Sequence, residues 1–334
     1  GLEQAAWEEL AAAVDTGFHC DQREVFDQDL ELAREANLRP LDNWLLLLCS
    51  NPALRLHHLS TALVGGTRRG LLTEFDLDCG QGFHNAWERS KLEAEARLRE
   101  SPAGDRVTIY RPSHTLGRAA GGEAFELGGA FPLLAVLAAA PVLPGDPRAR
   151  LDLVPADYVA AAMVALAAMG ASGTFHLVGG WDRSLTVRQA AALAAAGRGR
   201  SRGGLLLPRA LAWPLRLAGA AVPKGFVSRR LAFAIARDWL HQGPVFDNFR
   251  ADAALRPLGI AAPAPRSWLE TAVRAAEARR WPAPAADARV AAAAAGEADV
   301  SDEPPSAAAD ALNAPPAAAL GRAAAAAARE AKTT

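Results

Sequence analysis

His58-Leu-Ser-Thr-Ala-Leu-Val-Gly-Gly66, then Phe83-His-Asn-Ala-Trp-Glu-Arg-Ser-Lys91, then Ile109-Tyr-Arg-Pro-Ser113 are the stretches whose order decides the fold. The first reads as a strand over Arg55 to Leu59 that ends at Ser60 and Thr61. The second opens a helix over Asn85 to Glu100, rich in Ala, Glu, Leu and Arg, all good helix formers. The third is another strand, Val107 to Tyr110, closed by Pro112. Strands separated by helices of about ten residues or more build a parallel sheet with helices on both faces.

Outward from this centre the pattern continues. Glu3 to Ala13 places Ala6, Leu10 and Ala13 at helical spacing, and Asp15 to Cys20 reads as a short buried strand. Leu30 to Ser50 is mostly helical with a kink expected at Pro40, which lacks the amide proton a helix interior needs. Downstream, Leu151 to Val154 leads into an alanine-rich helix ending near Met169, and Thr174 to Val178 is a further strand. Thr186 is a good N-cap for the helix after it. Leu205 to Gln242 reads as mostly helical, and Phe246 to Leu258 and Ser267 to Arg280 complete a smaller lobe. From Pro282 alanine and proline dominate, a composition that cannot bury a core. The expected division is a sheet core over 1–180, a mainly helical substrate-side lobe over 181–281, and a disordered tail over 282–334.

The bulk properties exclude several classes of function. The 334 residues carry a formal net charge of −1, are 51% hydrophobic and 22% charged, and offer no electrostatic basis for nucleic acid or an anionic membrane surface. The three cysteines form no Cys-x-x-Cys pair, and reduced thiols in a cytoplasmic protein are the simplest expectation. No apolar run reaches the roughly 18 residues of a membrane span; Ala130 to Leu143 is interrupted by Pro132 and Pro141 and reads as a buried or cap helix. Lysine occurs only at Lys91, Lys224 and Lys332. The first residue is Gly1, inside a helix-like segment, from which a truncated start is expected.

Reactive groups of a parallel sheet gather at the carboxyl ends of its strands, where Thr61 lies. A hydroxyl there can hydrogen-bond a carbonyl oxygen and stabilise charge developing on it, or simply satisfy nearby backbone. Trp87 and Lys91, four apart on a helix, share a face. His57 and His58 are adjacent on a strand and point to opposite faces, so no zinc-type spacing arises among the histidines.

Taken in order with Leu153-Val-Pro-Ala-Asp-Tyr-Val159 and Phe175-His-Leu-Val178, these motifs resemble the extended short-chain dehydrogenase/reductase superfamily, in its fatty-acyl reductase, thioester reductase and male-sterility branch, over about residues 1 to 280. The resemblance implies a Rossmann-like doubly wound α/β sheet with a smaller, mostly helical C-terminal lobe, NADP or NAD as cofactor, and a small acyl thioester or related carbonyl as substrate. It assigns Thr61 to the substrate oxygen, Lys91 to the nicotinamide ribose, Asn37 to a water-linked proton path from that lysine, and Pro112 and Ser113 to the segment against the nicotinamide. Asp157 and Tyr158 match a turn near the substrate lobe.

Two departures follow. The family places tyrosine four residues before the lysine, and Trp87 stands there; an indole offers a fixed N–H donor and no accessible proton dissociation. No Gly-x-x-Gly-x-x-Gly turn precedes Asp15, so the first three strands of the family sheet and their pyrophosphate-binding amides are expected to be missing. The glycine cluster Gly197 to Gly204 follows a helix and reads as a solvated loop. The expectation is therefore a reductase-family protein with weak or no turnover; the alternative is a non-catalytic binding protein or a truncated remnant, which an exposed apolar sheet edge would mark.

Overall fold

The computed structural model describes residues 3–21, 29–121, 130–139, 142–201, 205–207, 240 and 243–278. Its centre is a four-stranded parallel sheet in the order Thr16–His19, Arg55–Leu59, Val107–Pro112 and Gly173–Leu177. Val107–Pro112 is buried along its whole length, as an interior strand of a sheet covered on both faces must be.

Alternation along that strand assigns its two faces. Val107 and Ile109 join Leu41, Leu48, Leu56 and Leu98 in one core, beneath the helices Arg39–Ser50 and Ala86–Glu100. Tyr110 joins Val159, Leu166, Phe175 and Leu255 in the other, beneath Ala156–Ala168 and Phe249–Leu255. The doubly wound α/β reading is what the structure shows. A third core packs Phe131–Ala139 against Val187–Gly197 and Leu269–Ala278, through residues such as Leu134, Val187, Leu269 and Val273. The apolar stretch around Ala130 is thus a buried helix.

Three local readings change. The stretch from Leu30 is two helices, Leu30–Asn37 and Arg39–Ser50, and Pro40 sits in the first turn of the second, where its missing N–H costs nothing. The Thr16–His19 strand is not wholly buried: Thr16 and Phe18 face outward, Phe18 with 40% exposure. Among the described residues it pairs only with Arg55–Leu59. Leu205–Leu207, expected to be helical, forms a strand parallel to Val142–Pro144; the rest of 208–242, apart from Leu240, and the 282–334 tail lie outside the described residues.

Two small parallel pairings shape the region beyond the sheet's carboxyl edge. Pro244–Phe246 pairs with Gly70–Leu72, and His114–Leu116 with Leu153–Pro155. The Val-Gly-Gly turn between them is sterically specified. Gly66 has φ +51°, and a Cβ there would stand 2.1 Å from the Gly82 carbonyl oxygen. No helix among the described residues is long and apolar enough to cross a membrane.

Candidate functional site

Asn85 builds the helix that presents Trp87 and Lys91. Its side chain accepts from the Glu88 amide at 2.9 Å, capping the first turn. Trp87 is 3% exposed and Lys91 1%. The Lys91 ammonium reaches back across the sheet edge and donates to the Leu59 carbonyl at 3.0 Å. Asn37, the last residue of its helix, is buried and donates from Nδ2 to the Ala33 carbonyl at 3.1 Å and to Ser90 Oγ at 3.0 Å. Ser90 in turn donates to the Trp87 carbonyl at 2.9 Å. The structure therefore brings Asn37, Trp87 and Lys91 onto one helix and its neighbour.

Thr61 is also buried. Its Oγ1 accepts from the Leu63 amide at 3.2 Å and donates to the Pro112 carbonyl at 3.5 Å. The first bond caps the Ala62–Gly65 turn. The second is long and easily exchanged for another acceptor. Ser113, by contrast, is engaged: its hydroxyl donates to Asp152 Oδ1 at 2.5 Å, and the same carboxylate accepts from the Gly179 and Gly180 amides at 2.9 and 2.8 Å. Burial raises the pKa of Asp152 against these bonds.

Three groups here escaped the sequence reading. First, His19 and His58 meet Nδ1 to Nδ1 at 2.9 Å across the first two strands, because parallel register sets His19 beside His58. Burial, then the Lys91 charge, lowers both, His19 to about 4. The Nε2 atoms of both rings and Asn37 Oδ1 are buried with no hydrogen-bond partner among the described residues. Orphaned buried polar atoms are costly, and these two imidazoles lie within the field of the buried Lys91 ammonium. A polyhydroxyl group such as a ribose would satisfy both donor and acceptor needs there, so the residues present fit a nicotinamide nucleotide at Lys91.

Second, Arg111 and Glu95, both fully buried, form a two-pronged ion pair with contacts of 2.7 to 3.1 Å. Burial works to raise the Glu95 carboxyl, but Arg111, Ser60 and Arg99 outweigh it and the pKa is lowered. Ser60 donates to Glu95 at 2.5 Å. Arg111 Nη1 donates to the Asp76 carbonyl at 2.8 Å and lies 3.3 Å from His176 Nε2.

Third, a cleft opens beside these residues. It is lined by Leu63, His84, Glu88, His114, Asp152 and Phe246 among others, and Thr61, Trp87 and Lys91 are not among its lining residues. His84 and Glu88 pair at its wall, Nδ1 to Oε2 at 3.0 Å. The Asn85/Glu88 capping spacing was a legible signal for that pair; nothing in the sequence ties Ser113 to Asp152.

Buried histidines make stability depend on pH. Burial lowers His114 to about 4 from an ordinary value of 6.5. Between those values the unfolded chain binds a proton that the folded chain refuses, so His114 costs stability as pH falls through that window. The stability of His114→Asn relative to wild type should rise by up to about 3 kcal/mol from pH 6.5 to pH 4. Paired urea titrations at the two pH values measure it; an unchanged difference would show that His114 is free to protonate in the fold.

Residues 1–163 match the protein family described as male sterility protein, an NAD-binding domain. The match covers just under half of the chain. Among solved structures, the chain is similar to the terminal R domain of the myxalamid PKS-NRPS biosynthetic pathway. The two share 24% identity and a TM-score of 0.70, over 84% of this chain and 72% of that one. A thiolation-reductase di-domain from an archaeal non-ribosomal peptide synthetase matches at 14% identity and TM-score 0.63, over 84% and 61%. A dTDP-glucose 4,6-dehydratase from Streptomyces venezuelae, solved with NAD, matches at 20% and 0.55, over 82% and 77%. At these identities the likeness shows the fold alone. No curated protein sequence matches the chain.

Proposed function

We propose that this protein is a nicotinamide-dependent reductase for an acyl thioester or related small carbonyl, with turnover held low by Trp87. The observation that carries this is the buried Lys91 ammonium at the carboxyl edge of the parallel sheet, with His19 and His58 nitrogens beside it that have no partner among the described residues. A bound NADPH or NADH would supply the hydride. Lys91, with His19 and His58, would hold its ribose, and Pro112 and Ser113 would form the wall against its nicotinamide.

Thr61 would exchange its 3.5 Å bond to the Pro112 carbonyl for one to the substrate oxygen, where a fixed donor counts most as charge develops. Asn37 keeps the lysine's helix in place through Ser90 and would lend the orphaned Oδ1 to a water on the proton path. Trp87 contributes shape and no proton.

The second reading, a protein that binds without turning over, has Trp87 in its favour. Titration with NADPH and NADH, followed by quenching of tryptophan emission, tests the first reading. Saturable micromolar binding with slow reduction of octanoyl-CoA is the expected result. Binding without any reduction favours the second reading, and no binding of either nucleotide removes the first.

A further inference from the structure

We propose that Asp152 is a positioning residue for the nicotinamide: its buried carboxylate, acting through Ser113, favours the oxidised, cationic ring over the neutral reduced one. The inference rests on the reductase reading above and adds to it a residue that makes the bound nucleotide a stronger hydride donor.

The carboxylate lies across the ends of two neighbouring strands of the sheet. Val107–Pro112 and Gly173–Leu177 run parallel, with Pro112 beside Leu177. Ser113 follows the first strand, and Gly179 and Gly180 follow the second. Asp152 Oδ1 accepts from the Ser113 hydroxyl at 2.5 Å and from the Gly179 amide at 2.9 Å, and Oδ2 accepts from the Gly180 amide at 2.8 Å. Pro112 joins this cluster to Thr61, whose Oγ1 donates to the Pro112 carbonyl at 3.5 Å. Lys91 stands at the same carboxyl edge, bonded to the Leu59 carbonyl at the end of the next strand. Ligands of a parallel sheet bind at that edge.

Each of these bonds brings a donor to the carboxylate, and 2.5 Å is the length a hydroxyl reaches to an ionised oxygen. The charge is 7% exposed, burial raises its pKa, and only neutral groups oppose that rise. Among the described residues it has no ion-pair partner. Buried charges are ordinarily paired, since neutral donors alone recover only part of the lost hydration. Arg150, the cation nearest in sequence, donates instead to the Trp181 and Ser184 carbonyls and stacks on the Trp181 ring at 4.3 Å. His114, beside Ser113, is lowered to about 4 by burial and is uncharged near neutrality. Holding the glycine turn would explain an acceptor at position 152. It does not explain a full charge, because an asparagine oxygen could accept from the same amides.

A ligand that brings the positive charge does explain it. Hydride carries two electrons and one proton from the ring to the carbonyl carbon. The ring is left with one positive charge and the carbonyl oxygen with one negative charge, so charge is conserved. Asp152 stabilises the first of these charges, while Thr61 donates to the second. Oxidised and reduced nucleotides differ in charge only at this ring, so their relative affinity reads the effect of Asp152 directly.

The test uses the full chain and measures binding. Dissociation constants for NADP+ and NADPH, and for NAD+ and NADH, come from quenching of tryptophan emission at mildly alkaline pH. The wild type should hold the oxidised form more tightly than the reduced one. Asp152→Asn should weaken the oxidised form about tenfold and leave the reduced form within about twofold, which raises the potential of the bound two-electron couple by about 30 mV. A merely structural Asp152 would weaken both forms alike.

An unchanged ratio in a folded Asp152→Asn protein overturns the proposal. So does a wild type that holds the reduced nucleotide more tightly, a measurement that needs no variant. Either result leaves the reductase reading standing wherever octanoyl-CoA is reduced. A shifted ratio without any reduction upholds the role of Asp152 and sinks the reductase reading, and binding of neither form removes both.

Discussion

Trp87→Tyr should raise the rate of octanoyl-CoA-dependent NADPH oxidation by about a hundredfold or more, the lower end of what a positioned general acid contributes. The helix register fixes where the new phenol goes. Asn85 caps the first turn, so position 87 remains one turn before Lys91 on the same face. A phenol ordinarily titrates near ~10, and a cation at that distance brings it toward working pH. Lys91 is buried and donates to a backbone carbonyl, so its charge is held where the phenol needs it.

The exchange also removes buried volume. Deleting part of a large core aromatic leaves a void that costs stability, though less than truncation to alanine. The melting temperature is therefore measured beside the rate. A folded Trp87→Tyr protein that binds NADPH and shows no gain would mean that the indole is not what limits this chain.

What the sequence made legible is what strong local signals encode. Alternation of strands with helices predicted the parallel sheet, and the spacing from Trp87 to Lys91 placed both on one buried helix face. The fully apolar Phe131–Ala139 segment, read as a buried helix, is one. Residues whose positions depend on register were not legible. His19 and His58 are 39 residues apart and meet only because the first two strands align Thr16 with Arg55. Asp152 and Ser113 meet through the pairing of His114–Leu116 with Leu153–Pro155. Pro40 misled for a related reason: its ring chemistry predicts a break, but only the surrounding packing decides whether the chain kinks or starts a new helix.

The largest effect on stability is expected at Arg111. Arg111→Met should destabilise the fold by about 3–5 kcal/mol, the cost of leaving one partner of a buried ion pair uncompensated. That is a large part of the about 5–15 kcal/mol a domain of ordinary stability possesses. Glu95 would remain fully buried with Ser60 and, at 3.5 Å, Arg99. In the wild type its pKa is lowered, so its contribution is present above the ordinary carboxylate value and is lost as pH falls through the folded value.

Without Arg111, burial dominates and Glu95 binds a proton more readily than in the unfolded chain. The deficit of Arg111→Met should therefore narrow as pH falls, when measured by urea unfolding from pH 7 to pH 5. Arg111→Met with Glu95→Leu should recover much of the lost stability, because two apolar side chains of similar volume pack where the pair stood. Recovery of stability need not restore function. Glu95 anchors Ser60 beside Thr61, and Arg111 precedes the Pro112 carbonyl that Thr61 contacts. A double variant as stable as the wild type but slower in reduction would assign the pair to positioning Thr61; one equal in both respects would confine it to the core.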